Sequence, residues 1–314
     1  MSARLVMRLD VVATAFTGGG ALCVALRHPR KPELPAWTAG AHVDLHLGDG
    51  RMRQYSLCGD PADRSTYRIA VKREPHGRGG SAWVHAELLA GTQVVVSAPR
   101  NNFPLAEDAA RHVLIAGGIG ITPLLAMARA LAADGADFTL HYCAASDDAP
   151  LLDDVRAVCG DRLVTWFRSD ARRFDLAQLG PATPGTHLYV CGPQRLLDAV
   201  RRGARRLGWP DSSLHVEVFQ PVLDEDFTPE PFDVRLVSSD TVLHVPADRS
   251  LLDVLREHGV PMPSSCELGI CGACECGYSD GTVIHRDQVL PLATRQDRMT
   301  PCVSRARVSI TLDL

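Results

Sequence analysis

At 314 residues, 46% hydrophobic and 22% charged, the chain has the composition of a soluble globular protein with room for two or three domains. A formal net charge of −4 excludes the basic footprint of a nucleic-acid binder, and no apolar run approaches a membrane span. The first ten residues lack a signal-peptide core, and cysteines such as Cys23, Cys143 and Cys191 lie in apolar, strand-like contexts, which together predict a cytoplasmic protein with buried free thiols.

The first hundred residues alternate in short apolar runs such as Val43-Asp-Leu-His-Leu47, Tyr67-Arg-Ile-Ala-Val71 and Val94-Val-Val96. Gly, Pro and Asp clusters separate them, which predicts a small antiparallel β-barrel. On one predicted strand, Arg53-Gln-Tyr55-Ser56-Leu57 sets an arginine two residues from a tyrosine, a pair suited to an anionic phosphate and an aromatic ring. Gly77-Arg78-Gly79-Gly80-Ser81 follows, then Ala82 to Leu89 and Gly91. This reads as a glycine loop, Ser81 as N-cap, a short helix, and Gly91 past its end. Such a helix start is an anion site.

Residues 112–116 form a continuous apolar strand, followed by Gly117-Gly118-Ile119-Gly120-Ile121-Thr122-Pro123 and an Ala/Leu-rich helix from Leu124 to Ala133. Strand, glycine loop and helix make a phosphate-binding unit, with Thr122 as cap and Pro123 at the first helical position. Pro123 stands where a third glycine would complete the common dinucleotide fingerprint, so that fingerprint is absent. Apolar runs at 138–142, 163–167 and 187–190, with helical stretches between, predict a parallel α/β sheet. Cys191-Gly192-Pro193 and a helix to about Leu207 close this part. Asp147 and Asp148 follow the second strand, and no Arg or Lys lies between His141 and Asp153. Acids there accept a bond from a free ribose 2′-hydroxyl and repel a 2′-phosphate, which favours NADH. The strand-like His215-Val-Glu-Val-Phe219 ends the domain.

An acidic, proline-rich join at 220–231 leads to two strands, 232–236 and 241–245, and a helix capped by Ser250 and stopped by Gly259. Cys266-x4-Cys271-x2-Cys274 and a distant Cys302 then give the spacing of plant-type [2Fe–2S] ligation. Zinc sites more often show two CxxC pairs, or one with a His pair. A short loop can wrap one side of the cluster with three thiolates, leaving the fourth to a separate segment. Gly269 and Gly272 let the backbone approach the inorganic sulfides. Cys276 is a strand residue and His285 a structural histidine, since the four ligand positions are filled.

In order and motif, the whole chain resembles the phthalate dioxygenase reductase family of the ferredoxin–NADP reductase superfamily. The resemblance rests on Arg53-x-Tyr55-Ser56-Leu57, Ile69-Ala-Val-Lys-Arg73, Gly77-Arg-Gly-Gly-Ser81, Gly117 to Pro123, Cys191-Gly-Pro193 and the cysteine motif. It implies an FMN-binding barrel at 1–106, an NADH-binding α/β domain at 107–224 and a β-grasp ferredoxin domain at 225–314. It also implies that Arg53 and Gly79, Gly80 and Ser81 hold the FMN phosphate. Tyr55, Ser56, Leu57, Ala70, Val71 and Lys72 would line its ring. Gly117, Gly118, Gly120, Thr122, Pro123, Gly192 and Pro193 would border the nucleotide, with Asp147 on its ribose. Cys191 and Ser56 would be the catalytic pair, Cys191 near the reactive ring carbon, and Phe219 would cover the flavin. Cys266, Cys271, Cys274 and Cys302 would bind the cluster.

A nicotinamide gives two electrons as a hydride, a cluster takes one at a time, and a flavin can do both, so the three sites in series make a converter. The implied function is a monomeric NADH-dependent reductase serving the Rieske-type terminal oxygenase of an aromatic-ring or O-demethylating system. Docking would involve Glu267, Leu268 and Ile270. The alternatives are a reductase for a cytochrome P450, or a non-catalytic electron carrier or redox sensor.

Overall fold

The computed structural model describes residues 5–48, 51–75, 77, 79–219 and 227–314. Two compact units divide the chain, Met1–Phe219 and Gln220–Leu314. The first part of the expected linker, 220–226, and Arg78 of the glycine loop lie outside the described residues.

The first unit opens with an antiparallel sheet. Its spatial order is Met52–Ser56, Ala41–His46, Gln93–Ser97, Val6–Thr17, Ala21–Arg27, Tyr67–Lys72, with Arg100–Asn101 beside Ala41–His46. The alternation seen in sequence buries Val43 and Leu45 completely. Asp44 is buried too, and is tolerated there because Arg100 pairs with it at 2.8 Å. The expected barrel is not a closed ladder. Its two ends meet at one bridge, Leu57 to Ile69, supported by Cys58 N–H donating to the Arg68 carbonyl (2.8 Å). Gly59-Asp60-Pro61 then turns the chain away, so pairing cannot extend. Helix Gly80–Glu87 packs beside Tyr67–Lys72, where His85 Nε2 hydrogen-bonds the Val71 carbonyl (2.7 Å).

The second sheet of this unit is wholly parallel, in the order Leu163–Phe167, Asp137–Ala144, Arg111–Gly117, Thr186–Cys191, Leu214–Glu217. In chain numbering that is 3-2-1-4-5, so the order reverses between Arg111–Gly117 and Thr186–Cys191. Its strands read as near-continuous apolar runs because helices cover a parallel sheet on both faces. Those helices are Ile121–Ala133, Leu152–Cys159 and Gln194–Arg206.

The second unit carries a mixed sheet, Val242–Val245, Phe232–Leu236, Ser309–Leu312, Cys276–Ser279, Arg298–Met299, in which only the central pair Phe232–Leu236 and Ser309–Leu312 is parallel. Phe232, Val234 and Leu236 are buried while Asp233 and Arg235 face water. Each such buried apolar side chain contributes about 1.5–3 kcal/mol. Helix Leu251–Glu257 begins as expected: Ser250 Oγ accepts the Asp253 N–H at 3.1 Å. This is the β-grasp arrangement. No helix among the described residues is long and apolar enough to cross a membrane.

Candidate functional site

Cys266, Cys274 and Cys302 are buried and Cys271 is half-buried. The thiols lie in two pairs, Cys266 beside Cys271 and Cys274 beside Cys302. Within each pair the neighbouring sulfur holds one thiol below its usual range, Cys271 acting on Cys266 and Cys302 on Cys274. Among the described residues no three His, Cys, Asp or Glu side chains group as a single ion would require. Two thiols per iron is what a [2Fe–2S] unit needs, whereas a tetrahedral zinc needs four around one point. The donor set fits the cluster.

One expectation changes here. The loop does not wrap three thiols on one side; it divides, sending Cys274 across to Cys302. Gly272, at φ +68, turns the chain between them, and Gly269, at φ +69, makes the equivalent turn after Cys266. Leu268 N–H donates to Cys266 Sγ (3.3 Å) and Ala273 N–H to Cys271 Sγ (3.5 Å). Glu267, expected to face a docking partner, is partly exposed and paired within the chain. It holds a left-handed φ of +56, and Arg256 Nη2 donates to its Oε1 (2.6 Å) and to Ser264 Oγ.

In the first unit, a Cβ on Gly80 would lie 2.7 Å from Arg53 Cγ, and one on Gly79 2.6 Å from Arg51 Nη1. Two guanidinium side chains therefore lie against the start of helix Gly80–Glu87, whose first N–H groups have no intrahelical partner. Cation and helix N-terminus together fit a phosphate. Ser81 is not the cap. Gly79 occupies that position, and Ser81 Oγ accepts the Glu74 N–H (3.0 Å), which ties the helix to the preceding loop. Gly91 sits beyond the helix end in a turn, where its N–H donates to the Val11 carbonyl (2.8 Å). Tyr55 is half-buried, and burial pushes its phenol up to about 12, so it stays an O–H donor. Ser56, Leu57, Ala70 and Val71 are buried, while Lys72 is exposed and pairs with Glu74 at 3.4 Å.

Gly117, Gly120 and Gly192 bring two loops into contact at the reversal of the parallel sheet. A Cβ on Gly120 would lie 2.3 Å from the Cys191 carbonyl oxygen, and one on Gly192 2.9 Å from Gly117 Cα. The helix starts earlier than expected, at Ile121 after the Gly118–Gly120 turn. Thr122 is therefore inside it and not a cap, its hydroxyl donating to the Ile119 carbonyl (3.0 Å). Pro123 is third in the helix, where a backbone N–H would have no partner. Cys191 is fully buried, and burial, then the Glu217 charge, pushes its thiol well up, so it remains neutral. Asp147 is exposed; Asp148 Oδ1 accepts the Gly19 N–H (3.1 Å) and so belongs to the seam with the antiparallel sheet. Arg172 stacks over Trp166 at 4.9 Å. Phe219 lies two residues beyond its strand and packs on the core shared by both sheets.

Two of the candidate sets come together. The Gly118–Gly120 turn lies beside strand Tyr67–Lys72, with Cα atoms within 8 Å, so the strand that carries Ala70, Val71 and Lys72 neighbours the loop that abuts Cys191. Two further residues belong here. Arg51 has a sequence signal, its two-residue spacing from Arg53. Glu217 pairs with Cys191 across the ladder, its Oε2 is buried without a hydrogen-bond partner, and burial pushes it up to about 8. An acid inside an apolar strand end was the signal for it.

The profile of the 2Fe-2S iron-sulfur cluster binding domain matches residues 234–307. That of the N-terminal domain of dimethylamine monooxygenase subunit DmmA-like proteins matches 95–214. A solved phthalate dioxygenase reductase, described as a modular structure for electron transfer from pyridine nucleotides to [2Fe-2S], superposes with a TM-score of 0.80 at 37% identity, over 98% of both chains. The chain belongs to the phthalate dioxygenase reductase family. It is 44% identical over 299 residues to the reductase subunit of the tert-butanol monooxygenase / tert-amyl alcohol desaturase of Aquincola tertiaricarbonis, covering 90% of this chain and 88% of that one. An intact type IV self-sufficient cytochrome P450 monooxygenase matches at TM-score 0.83 and 40% identity, over 98% of this chain and 41% of that one. As a phthalate dioxygenase reductase family member, the chain is an oxidoreductase, the reductase component of an oxygenase or demethylase system, with FMN, NADH and a [2Fe–2S] cluster as cofactors. Its partner is the terminal oxygenase component of such a system.

Proposed function

We propose that the chain is a cytoplasmic, monomeric reductase that passes electrons from NADH through FMN and its cluster to a Rieske-type terminal oxygenase acting on an aromatic acid or an O-methyl substrate. Residues 1–106 serve FMN, 107–224 NADH and 225–314 the cluster. The observation that carries the reading is the Gly118–Gly120 turn standing beside strand Tyr67–Lys72, because a nucleotide held by that turn has its reactive end at the strand that lines the flavin.

When bound, the cofactors supply hydride donation, conversion of an electron pair to single electrons, and one-electron delivery. The chain's own residues bind, orient and exclude water. Helix Ile121–Ala133 presents its positive end to the pyrophosphate. Gly117, Gly120 and Gly192 let two backbones close on the nicotinamide. Cys191, held neutral by burial, offers an uncharged wall there, and Ser56 serves as a hydroxyl donor. Arg51, Arg53 and the start of helix Gly80–Glu87 anchor the flavin phosphate, and Tyr55 donates toward its ring. Phe219 shields the flavin, and Asp147 accepts from the ribose 2′-hydroxyl. Cys266, Cys271, Cys274 and Cys302 would hold the cluster, one thiol pair to each iron. No acid or base is required for the hydride step, which depends on positioning.

The test is an anaerobic NADH titration of purified protein followed by visible absorbance and electron paramagnetic resonance, with the heat-released flavin identified. Flavin bleaching, a rhombic reduced-cluster signal and released FMN are expected. No NADH-dependent bleaching would reduce the chain to an electron carrier, and released FAD would reassign the flavin site.

A further inference from the structure

The nucleotide-binding part of the first unit is joined to its antiparallel sheet by a seam. A Cβ on Gly18 would lie 2.4 Å from the Ala149 carbonyl oxygen, and one on Gly40 3.1 Å from Met127 Cε, on helix Ile121–Ala133. Gly19 N–H donates to Asp148 Oδ1. At the centre is Asp154, on helix Leu152–Cys159. Its Oδ1 accepts from Arg68 Nη1 (3.1 Å), on strand Tyr67–Lys72, and from Arg129 Nη2 (2.7 Å), on helix Ile121–Ala133. The carboxylate is about one-quarter exposed, at 26%. Pairs screened to that degree hold geometry better than surface pairs.

The two arms run to the two halves of the reaction centre. Arg68 lies on strand Tyr67–Lys72, which neighbours the nucleotide turn Gly118–Gly120. Arg129 sits in the helix whose first turn follows that loop. Both guanidinium groups converge on one oxygen, so neither element can slide along the seam without breaking a charge-assisted bond. We propose that Asp154 is a positioning residue that fixes the nucleotide loop against the flavin-lining strand, through Arg68 on one side and Arg129 on the other. The inference rests on the NADH-to-FMN reading. It predicts an asymmetry. The Arg68 arm crosses the seam, so it sets the nicotinamide-to-flavin distance. The Arg129 arm lies within the nucleotide-binding part, so it supports local stability.

Holoprotein variants Arg68→Gln, Arg129→Gln and Asp154→Asn, with the exposed neighbour Asp153→Asn as control, test it by anaerobic stopped-flow. Three quantities are read: the limiting rate of flavin bleaching, the Kd for NADH from its saturation, and the amplitude of the long-wavelength absorbance that reports nicotinamide stacked on flavin. For Arg68→Gln and Asp154→Asn the limiting rate should fall at least tenfold, since displacements near 1 Å cost up to about 10²-fold. Kd should stay within about threefold and the stacking absorbance should shrink. Arg129→Gln should lower the unfolding midpoint with a smaller effect on rate, and Asp153→Asn should change nothing. Because Asp154→Asn alone can fail by misfolding, Arg68→Gln decides. If wild-type flavin bleaches and Arg68→Gln bleaches equally fast with full stacking absorbance, the inference is overturned while the proposed function stands. If Arg68→Gln and Arg129→Gln lose rate equally, a general staple replaces the positioning role. A wild-type flavin that NADH does not bleach overturns both.

Discussion

Gly120→Ala isolates the backbone contact on which the proposed nucleotide positioning depends. The residue has φ −63 and ψ −2, an ordinary helical conformation, so the backbone accepts alanine without strain. The added Cβ, however, would sit 2.3 Å from the Cys191 oxygen, 2.5 Å from its carbonyl carbon and 2.7 Å from Gly192 N. All three are backbone atoms and cannot rotate away. Reaching ordinary contact requires the two loops to part by roughly 1 Å, and misplacement on that scale costs about 10²-fold in a positioned reaction, or about 2.7 kcal/mol in the barrier. Stopped-flow flavin bleaching by NADH should therefore slow by one to two orders of magnitude, and the Kd for NADH should rise. Dithionite should still reduce the cluster fully, because the cysteines lie in the other compact unit. A variant that bleaches within twofold of wild type would refute the close-approach reasoning.

Three further outcomes are expected. Arg53→Leu removes one of the two cations at the helix start; FMN affinity should weaken by about 2 kcal/mol, measured by equilibrium dialysis, and an unchanged Kd would place the phosphate elsewhere. Glu267→Ala breaks the Arg256 pair and keeps a side chain at φ +56, so a chelator should bleach the cluster faster than in wild type. Glu267→Gly removes that backbone cost of about 1 kcal/mol and should fall between the two. Stability should peak near pH 6 in urea unfolding. His42 and His141, both lowered to about 4 by burial, contribute stability that is lost as pH falls from about 6.5 through 4. Glu217, raised to about 8 by burial, contributes stability that is lost as pH rises from about 4.5 through 8, and Glu217→Gln should flatten that alkaline limb.

The parts legible in sequence were those encoded in spacing along one strand, helix or loop. The cysteine ligand set, the apolar strands, the Ser250 cap and the glycine loops are local patterns, and the fold and family follow from them. What failed was local too, but decided by distant partners. Ser81 and Thr122 have the chemistry of caps, yet each lies inside its helix because Gly79 and Gly120 take the cap position. Both glycines are pressed against other segments, Arg51 and Cys191, that sequence does not show to be adjacent. The thiol pairing was hidden for the same reason: Cys274 is closer in sequence to Cys271 but lies with Cys302. The barrel's open seam at Leu57 follows from where the Gly59-Asp60-Pro61 turn falls in a register that only pairing across sheets reveals.

Sheet topology explains why so few charged groups are needed at the nicotinamide end. In a parallel sheet of order 3-2-1-4-5, the loops after strands one and four diverge, leaving a crevice outside their carboxyl ends. Here those loops are Gly117–Gly120 and Cys191–Pro193, and glycine lets them meet at backbone distance. The contact there is main chain on main chain, and beside it stand a neutral thiol, Cys191, and a carboxyl raised to about 8, Glu217. Neither carries a full charge at neutral pH, so the pocket adds little electrostatic bias of its own to a hydride leaving a nicotinamide. What the chain controls is distance. A methyl group added at Gly120 should accordingly cost more in hydride rate than a charge removed at Glu217. The reverse order would mean that the site works by electrostatics and not by approach.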